Sequence, residues 1–169
     1  MTIPDKTLLD ILVCPVSKTP LKYDEESNKL VSVEAGNSYP VEDGIPILLP
    51  NKLEDFKKLE AEYHDMESDT YDEINMLSSY RVVYHHEKYL KHLKELPTGS
   101  IVLEVGGGDG TDASKLLDSE LIVIQSDISA GMVKKAKTKV SSDQINSSAF
   151  HIVCDAEQIP CESGSVDAV

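Results

Sequence analysis

The sequence predicts an α/β protein: a small β-rich N-terminal domain, then a helical linker, then the first half of a Rossmann-like sheet. Three observations carry that expectation. An apolar strand, Ile101 to Val105, passes straight into Gly106, Gly107, Gly108 and Gly110 and then into a helical pattern. Two further apolar runs follow, Leu121 to Ile124 and Phe150 to Cys154, and each leads to an acidic residue, Asp127 and Asp155. Met1 to Pro50, by contrast, holds short apolar runs divided by turn residues, with no long helical period. The expected units are residues 1–50, 51–98 and 99–169.

Within the first unit, Leu8, Leu9, Ile11 and Leu12 give a short amphipathic helix, and Cys14-Pro15 begins a knuckle. Short strands are expected at Leu21 to Tyr23, Lys29 to Val33, Tyr39 to Val41 and Ile45 to Leu49. Asn28, Gly36-Asn37 and Asp43-Gly44 supply the turns between them.

The second unit is polar, acidic and helical in pattern, with tyrosines at Tyr63, Tyr71, Tyr80, Tyr84 and Tyr89. It reads as a solvated linker, or as a lid in which Tyr71, Tyr80 and Tyr84 line a pocket; packing is the preferred role for them. Lys88 to Leu93 forms an amphipathic helix that Pro97-Thr98-Gly99 ends. His85 and His86 are neighbours on a helix and point apart, so they make no metal or acid–base pair.

In the third unit the glycine loop fits two templates. Gly108, Gly110 and Ala113 satisfy the relaxed dinucleotide fingerprint, with Asp112 and Ser114 in the first turn of the following helix. The same stretch also reads E-x-G-x-G-x-G, with Glu104, Gly106, Gly108 and Gly110. A carboxylate at the strand's end complements a ligand that carries an ammonium and a sulfonium, and it repels a pyrophosphate. This second pattern resembles motif I of class I S-adenosylmethionine methyltransferases.

The resemblance extends over Ile101 to Val169. Asp127, about twenty residues beyond the loop, stands where an acidic residue accepts from the ribose hydroxyls. It implies that Ile128 packs beside the adenine, that Asp155 binds the adenine amine, and that the Ala156 backbone reads the ring. The closing DAEQIPCESGSVDAV is similar to the D-A-x-x-L-P-F-x-x-x-S-F-D-x-V stretch of the UbiE-like branch, which methylates quinones and other small molecules; Ile159, Cys161 and Val166 depart from it. In that family the fourth strand lies beside the first, and later elements supply most acceptor contacts. The expectation is therefore a chain that ends at Val169 within the fourth strand of a longer enzyme, and no catalytic residue is named.

Residues 8 to 50 resemble the YcaR-like family, relatives of the zinc-binding activator subunit of tRNA and protein methyltransferases. Cys14-Pro15 and the run Tyr39 to Pro46 carry the likeness most specifically. Zinc-holding members pair cysteines as C-P-x-C, but here Ser17 fills the second position and Ser32 another. One thiolate cannot complete a four-ligand structural site, so no metal is expected and Cys14 is assigned as a small buried apolar residue. The resemblance implies a domain that binds a methyltransferase by extending or covering its sheet. Fusion makes that contact intramolecular, at an effective concentration of about the millimolar range. The alternative of nearly equal weight is an appendage that only stabilises the chain or recruits substrate, and the domain also allows a protein partner to dock.

The formal net charge is −14, each unit is acidic, and no basic stripe interrupts them. Polyanion binding depends on such a stripe, so a nucleic-acid substrate is disfavoured and a small-molecule acceptor expected. No run of eighteen apolar residues and no signal peptide occurs, from which a cytoplasmic location follows as an expectation. Three scattered cysteines make no disulfide framework. The preferred function is S-adenosylmethionine-dependent methyl transfer; the alternative is a non-catalytic activator that docks to a partner methyltransferase. A nicotinamide-dependent oxidoreductase is disfavoured by Glu104 and by Asp155-Ala156.

Overall fold

The computed structural model describes residues 5–70, 80–140, 144 and 147–169; for residues 80–86 it describes the backbone alone. Tyr71 lies outside the described residues, as do the side chains of Tyr80, Tyr84, His85 and His86.

The first helix, α1 (Lys6–Ile11), starts at Asp5, whose side chain accepts from the Thr7 amide. A four-stranded antiparallel meander follows: β1 (Lys22–Asp24), β2 (Lys29–Ser32), β3 (Asn37–Glu42) and β4 (Ile45–Leu48). Asp43 and Gly44 join the last two with φ of 51° and 77°, the positive pair that a two-residue hairpin needs to match strand twist. Two helices come next, α2 (Asp55–Glu67) and α3 (Tyr80–Leu93). The remainder alternates as β5 (Ile101–Val105), α4 (Thr111–Leu117), β6 (Ile122–Asp127), α5 (Ala130–Thr138) and β7 (Ala149–Cys154), closed by a 3₁₀ turn at Ala156–Gln158. These elements agree with the α/β fold expected from the sequence, with strand ends displaced by one to three residues.

One sheet runs through both ends of the chain, in the order β1-β2-β3-β4-β7-β6-β5. Ile47 pairs in parallel with Val153 and Leu48 with Cys154, so β4 leaves the meander and becomes the outer neighbour of the parallel strands. Its composition suits an interior position, because Ile45, Pro46 and Leu48 are all buried. The register of β5, β6 and β7 sends alternate residues to opposite faces. On one face Leu48, Leu103, Ile124, Phe150, Ile152 and Cys154 share a core with Leu8, Ile11, Leu12, Leu30, Tyr39 and Val41. On the other, Val102, Val123 and Ala149 lie beneath Ala113, Leu116 and Leu117 of α4 and Leu90 and Leu93 of α3. Ile45 and Val153 meet Val133 of α5 on the same side.

A second contact ties the N-terminal residues to the end of the chain. The Val13 amide donates to Pro160 O (2.8 Å), the Glu162 amide to Ile11 O (2.9 Å), and Lys18 Nζ to Ile159 O (2.7 Å). At the far edge of the sheet Ala168 forms a parallel bridge with Val102, and Asp167 accepts from the Ile101 amide at 2.7 Å. The residues expected to begin a fourth strand thus lie beside β5.

The knuckle at Cys14 is held by hydrogen bonds. Cys14 is fully buried, but it is not the apolar filler expected from the sequence: Sγ lies 3.1 Å from Tyr39 Oη and accepts from the Ser17 amide and Asn37 Nδ2. Burial pushes this thiol up, and the bonds from Ser17 and Tyr39 outweigh it, leaving a pKa of about 7. Ser17 and Ser32 are linked through Thr19 Oγ1, at 2.8 and 2.5 Å. Among the described residues no group of three or more His, Cys, Asp or Glu is placed to hold a metal, and no helix is long and apolar enough to cross a membrane.

Candidate functional site

The glycine loop is fixed from behind by the end of β6. Asp127 Oδ2 accepts from the Gly108 amide at 2.9 Å, Gln125 Nε2 donates to Gly108 O at 3.0 Å, and Ser126 Oγ donates to Glu104 O at 2.7 Å. The other oxygen of Asp127 accepts from the Ser129 amide (2.9 Å), so its orientation is set from both sides before any ligand arrives. Ser129 then caps α5 by accepting from the Met132 amide.

Two of the loop glycines sit at close approaches. A Cβ on Gly107 would lie 2.3 Å from Glu104 Oε2, and one on Gly110, whose φ is +71°, would lie 2.6 Å from the Ala136 Cβ. The first glycine makes room for the carboxylate beneath the loop, and the second lets α4 pack against α5. Asp109, which the sequence reading did not single out, is buried, accepts from Thr111 and pairs with Lys139. Asp112 sits in the first turn of α4 and pairs with Lys115, while Ser114 Oγ donates to Thr111 O.

Glu104 is the electrostatic anomaly of the site. Burial, reinforced by the carboxylates of Asp112, Asp109 and Asp127, raises its pKa to about 8. Its Oε2 is buried and has no hydrogen-bond partner among the described residues.

In front of the loop is a cavity of about 380 Å³, within the size range of small-molecule sites. The ends of β5, β6 and β7 line its floor with Val105, Gly106, Gly108, Asp127, Ile128, Cys154, Asp155, Ala156 and Glu157, and Met132 closes one side. Six of the residues singled out in the sequence therefore meet at one cavity: Gly106, Gly108, Asp127, Ile128, Asp155 and Ala156. Glu104 and Gly110 are not on its wall; they lie behind the loop and shape it.

The opposite wall is α2, through Phe56, Lys57, Glu60 and His64. Lys57 is buried, and its Nζ lies 2.7 Å from Asp155 Oδ2 and 2.8 Å from Glu157 Oε2. These two carboxylates hold the ammonium above its ordinary range. Sequence reasoning missed this wall because the helix inverts the usual pattern. Phe56, Leu59, Tyr63 and Met66 form an apolar stripe that would be assigned to a core, yet all four are exposed, Met66 at 81%. The inward face carries Lys57, His64 and Ser68, and no local signal marks it as the buried one.

Two family models match the chain: residues 5–44 match the one described as Trm112p-like protein, and residues 102–169 match a methyltransferase domain. The UPF0434 protein of Acidovorax sp. is 50% identical over 58 residues, 34% of this chain and 97% of that protein. The UPF0434 protein of Chelativorans sp. is 52% identical over 48 residues, 28% of this chain and 68% of its own length. Among solved structures, phosphoethanolamine N-methyltransferase 2 of Haemonchus contortus in complex with S-adenosyl-L-methionine superposes with a TM-score of 0.52 at 23% identity. That superposition covers 72% of this chain and 29% of the Haemonchus chain, and it shows the likeness of fold. By its first domain the chain belongs to the Trm112p-like, or UPF0434, family, and it joins that domain to a methyltransferase domain in one polypeptide.

Proposed function

We propose that this protein is an S-adenosylmethionine-dependent methyltransferase acting on a small-molecule acceptor, with its Trm112p-like domain serving as a built-in neighbour of the catalytic sheet. The match to a methyltransferase domain supports the reaction class. The observation that carries the cofactor is the cavity at the strand ends, where Gly106, Gly108, Asp127, Ile128, Asp155 and Ala156 meet; behind the loop Glu104 adds a buried carboxyl ringed by three others, with one oxygen that has no partner among the described residues. Leaving such an oxygen unpaired costs about 1–3 kcal/mol, and a nearby positive charge offsets that cost. From behind the loop this acidic cluster favours a ligand bearing an ammonium and a sulfonium, whereas the pyrophosphate of a dinucleotide would add a further repulsion.

The residues present fit this group. Gly106 and Gly108, Asp127, Ile128, Asp155 and Ala156 all line the cavity; on this reading Asp127 takes the ribose hydroxyls, Ile128 lies against the base, and Asp155 with Ala156 takes its far end. When bound, S-adenosylmethionine supplies a methyl group on a sulfonium that leaves as a neutral thioether. The protein's share is to hold this ligand in line with the acceptor and keep water out, which α2 does by covering the cavity with Phe56, Lys57 and His64. The acidic chain, −14 overall, favours a small acceptor over a polyanion. Because β4 already pairs with β7, the Trm112p-like domain works on its own methyltransferase domain, and docking to a separate enzyme through that strand is the less favoured role.

Calorimetric titration with S-adenosylhomocysteine and with NAD, on the wild type and Asp127→Ala, tests the reading. S-adenosylhomocysteine should bind, NAD should not, and Asp127→Ala should weaken binding roughly tenfold or more, the loss of one or two hydrogen bonds to a carboxylate. Binding of NAD instead, or of neither, would overturn it.

A further inference from the structure

Asp155, the carboxylate expected to take the adenine amine, already has a cation on it. Lys57 Nζ holds Asp155 Oδ2 at 2.7 Å, and the other oxygen accepts from the Glu157 amide at 3.0 Å. The lysine comes from α2, and α2 is attached at a second point one cavity-width away. Asp65 Oδ1 accepts from Ser129 Oγ (2.5 Å) and from the Gly131 amide (2.8 Å), at the start of α5. The helix therefore spans the cavity from the end of β7 to the end of β6.

What holds it there is almost entirely polar. Leu59, Tyr63 and Met66 are exposed and Phe56, though it edges the cavity, is 58% exposed, so no buried apolar stripe anchors the helix. Ion pairs and hydrogen bonds add little net stability one by one, and an element held only by them opens at low cost. Lys57 also has somewhere to go. Glu157, its second partner, is 74% exposed at the rim and can keep the ammonium paired after it leaves Asp155.

We propose that Lys57 is an internal occupant of the adenine-amine subsite, so that cofactor binding and release of Lys57 from Asp155 form one coupled equilibrium with α2 as the moving element. This rests on the methyltransferase reading above. The neutral amine of the ligand and the ammonium of Lys57 compete for one buried carboxylate oxygen, and the apparent affinity falls by the fraction of molecules in which Lys57 is away from it. The pair is thus an autoinhibitory contact that sets how much cofactor is needed to occupy the site.

The test uses the full chain, S-adenosylhomocysteine as probe, and three proteins: wild type, Lys57→Met and Asp65→Ala. Binding is read by calorimetry, and the opening of α2 in the free protein by amide hydrogen exchange. Lys57→Met should bind roughly tenfold more tightly than wild type. Asp65→Ala removes both hydrogen bonds of the distant anchor and leaves Lys57 and Asp155 in place; it should tighten binding by a smaller factor, and α2 amides should exchange faster in both variants. Equal or weaker binding by Lys57→Met, or by Asp65→Ala if the former does not fold, overturns the latch while leaving the cofactor reading intact. No binding by any of the three overturns the cofactor reading itself, and the latch with it.

Discussion

Ile47 of β4 stands in parallel register with Val153 of β7, a pairing between residues more than a hundred positions apart that turns two units of sequence into one sheet. The Trm112p-like meander does not merely sit beside the methyltransferase strands; it is hydrogen-bonded to them and shares their core. Leu48, one residue on, is fully buried in a cluster that includes Leu30 and Tyr39 from the meander and Ile152 and Cys154 from β7. Leu48→Ala should cost about 2–5 kcal/mol. The loss should fall on both units at once, as a single denaturant transition seen alike by tyrosine fluorescence and far-ultraviolet circular dichroism. Two separated transitions would show that the shared core does not couple them.

Gly110 meets the Ala136 Cβ, and that contact predicts a rescue. Gly110→Ala combines a left-handed φ with a 2.6 Å clash, so it should destabilise by about 1–3 kcal/mol and shift the loop that Asp127 holds. Adding Ala136→Gly removes the clash and leaves the backbone strain. The double variant should regain part of the lost stability in thermal melts; no gain would mean that α4 and α5 are not in contact at this point.

Glu104 predicts a pH dependence with a definite sign. Its folded value of about 8 lies above the ordinary 4.5, so the folded state keeps a proton that the unfolded chain gives up. Stability is then lost as pH rises from about 4.5 to 8, by an amount on the order of 1–4 kcal/mol. Glu104→Gln should be more stable than wild type at pH 8, and the two should converge toward pH 4.5 in melts across that range. A ligand that brings a net positive charge drives the same proton off, so the apparent binding enthalpy of S-adenosylmethionine near pH 7 should vary with the ionisation enthalpy of the buffer, and that of S-adenosylhomocysteine, which lacks the sulfonium, should vary less.

Cys14 behaves in the opposite sense. Its thiol is depressed from 9.0 to about 7, so the folded state favours the thiolate, and the stabilisation is fully present above pH 9 and lost as pH falls through 7. Cys14→Ala should therefore lose more stability at pH 9 than at pH 6.5. The gap in melting temperature should widen by about 2–4 °C, the shift that 1 kcal/mol produces in a chain of this size. Tyr39→Phe, which removes one of the bonds to the sulfur, should reduce that widening.

The sequence by itself determined what local chemistry encodes. The strand–glycine–helix passage at Ile101 to Leu117, the acidic residues closing β6 and β7, and the Asp43-Gly44 turn are legible because hydrophobic period and turn conformation are properties of a few consecutive residues. Six residues chosen from that pattern together with the resemblance to class I methyltransferases lie around one cavity. Tertiary structure alone decided which strand borders β7, that Ile11 to Val13 pair with Pro160 to Glu162, and that α2 turns its polar side inward to set Lys57 on Asp155. No periodicity reports these, because each is a choice among surfaces distant in the chain. It is made by the geometry of the shared sheet and by the cost of leaving a buried carboxylate without a partner.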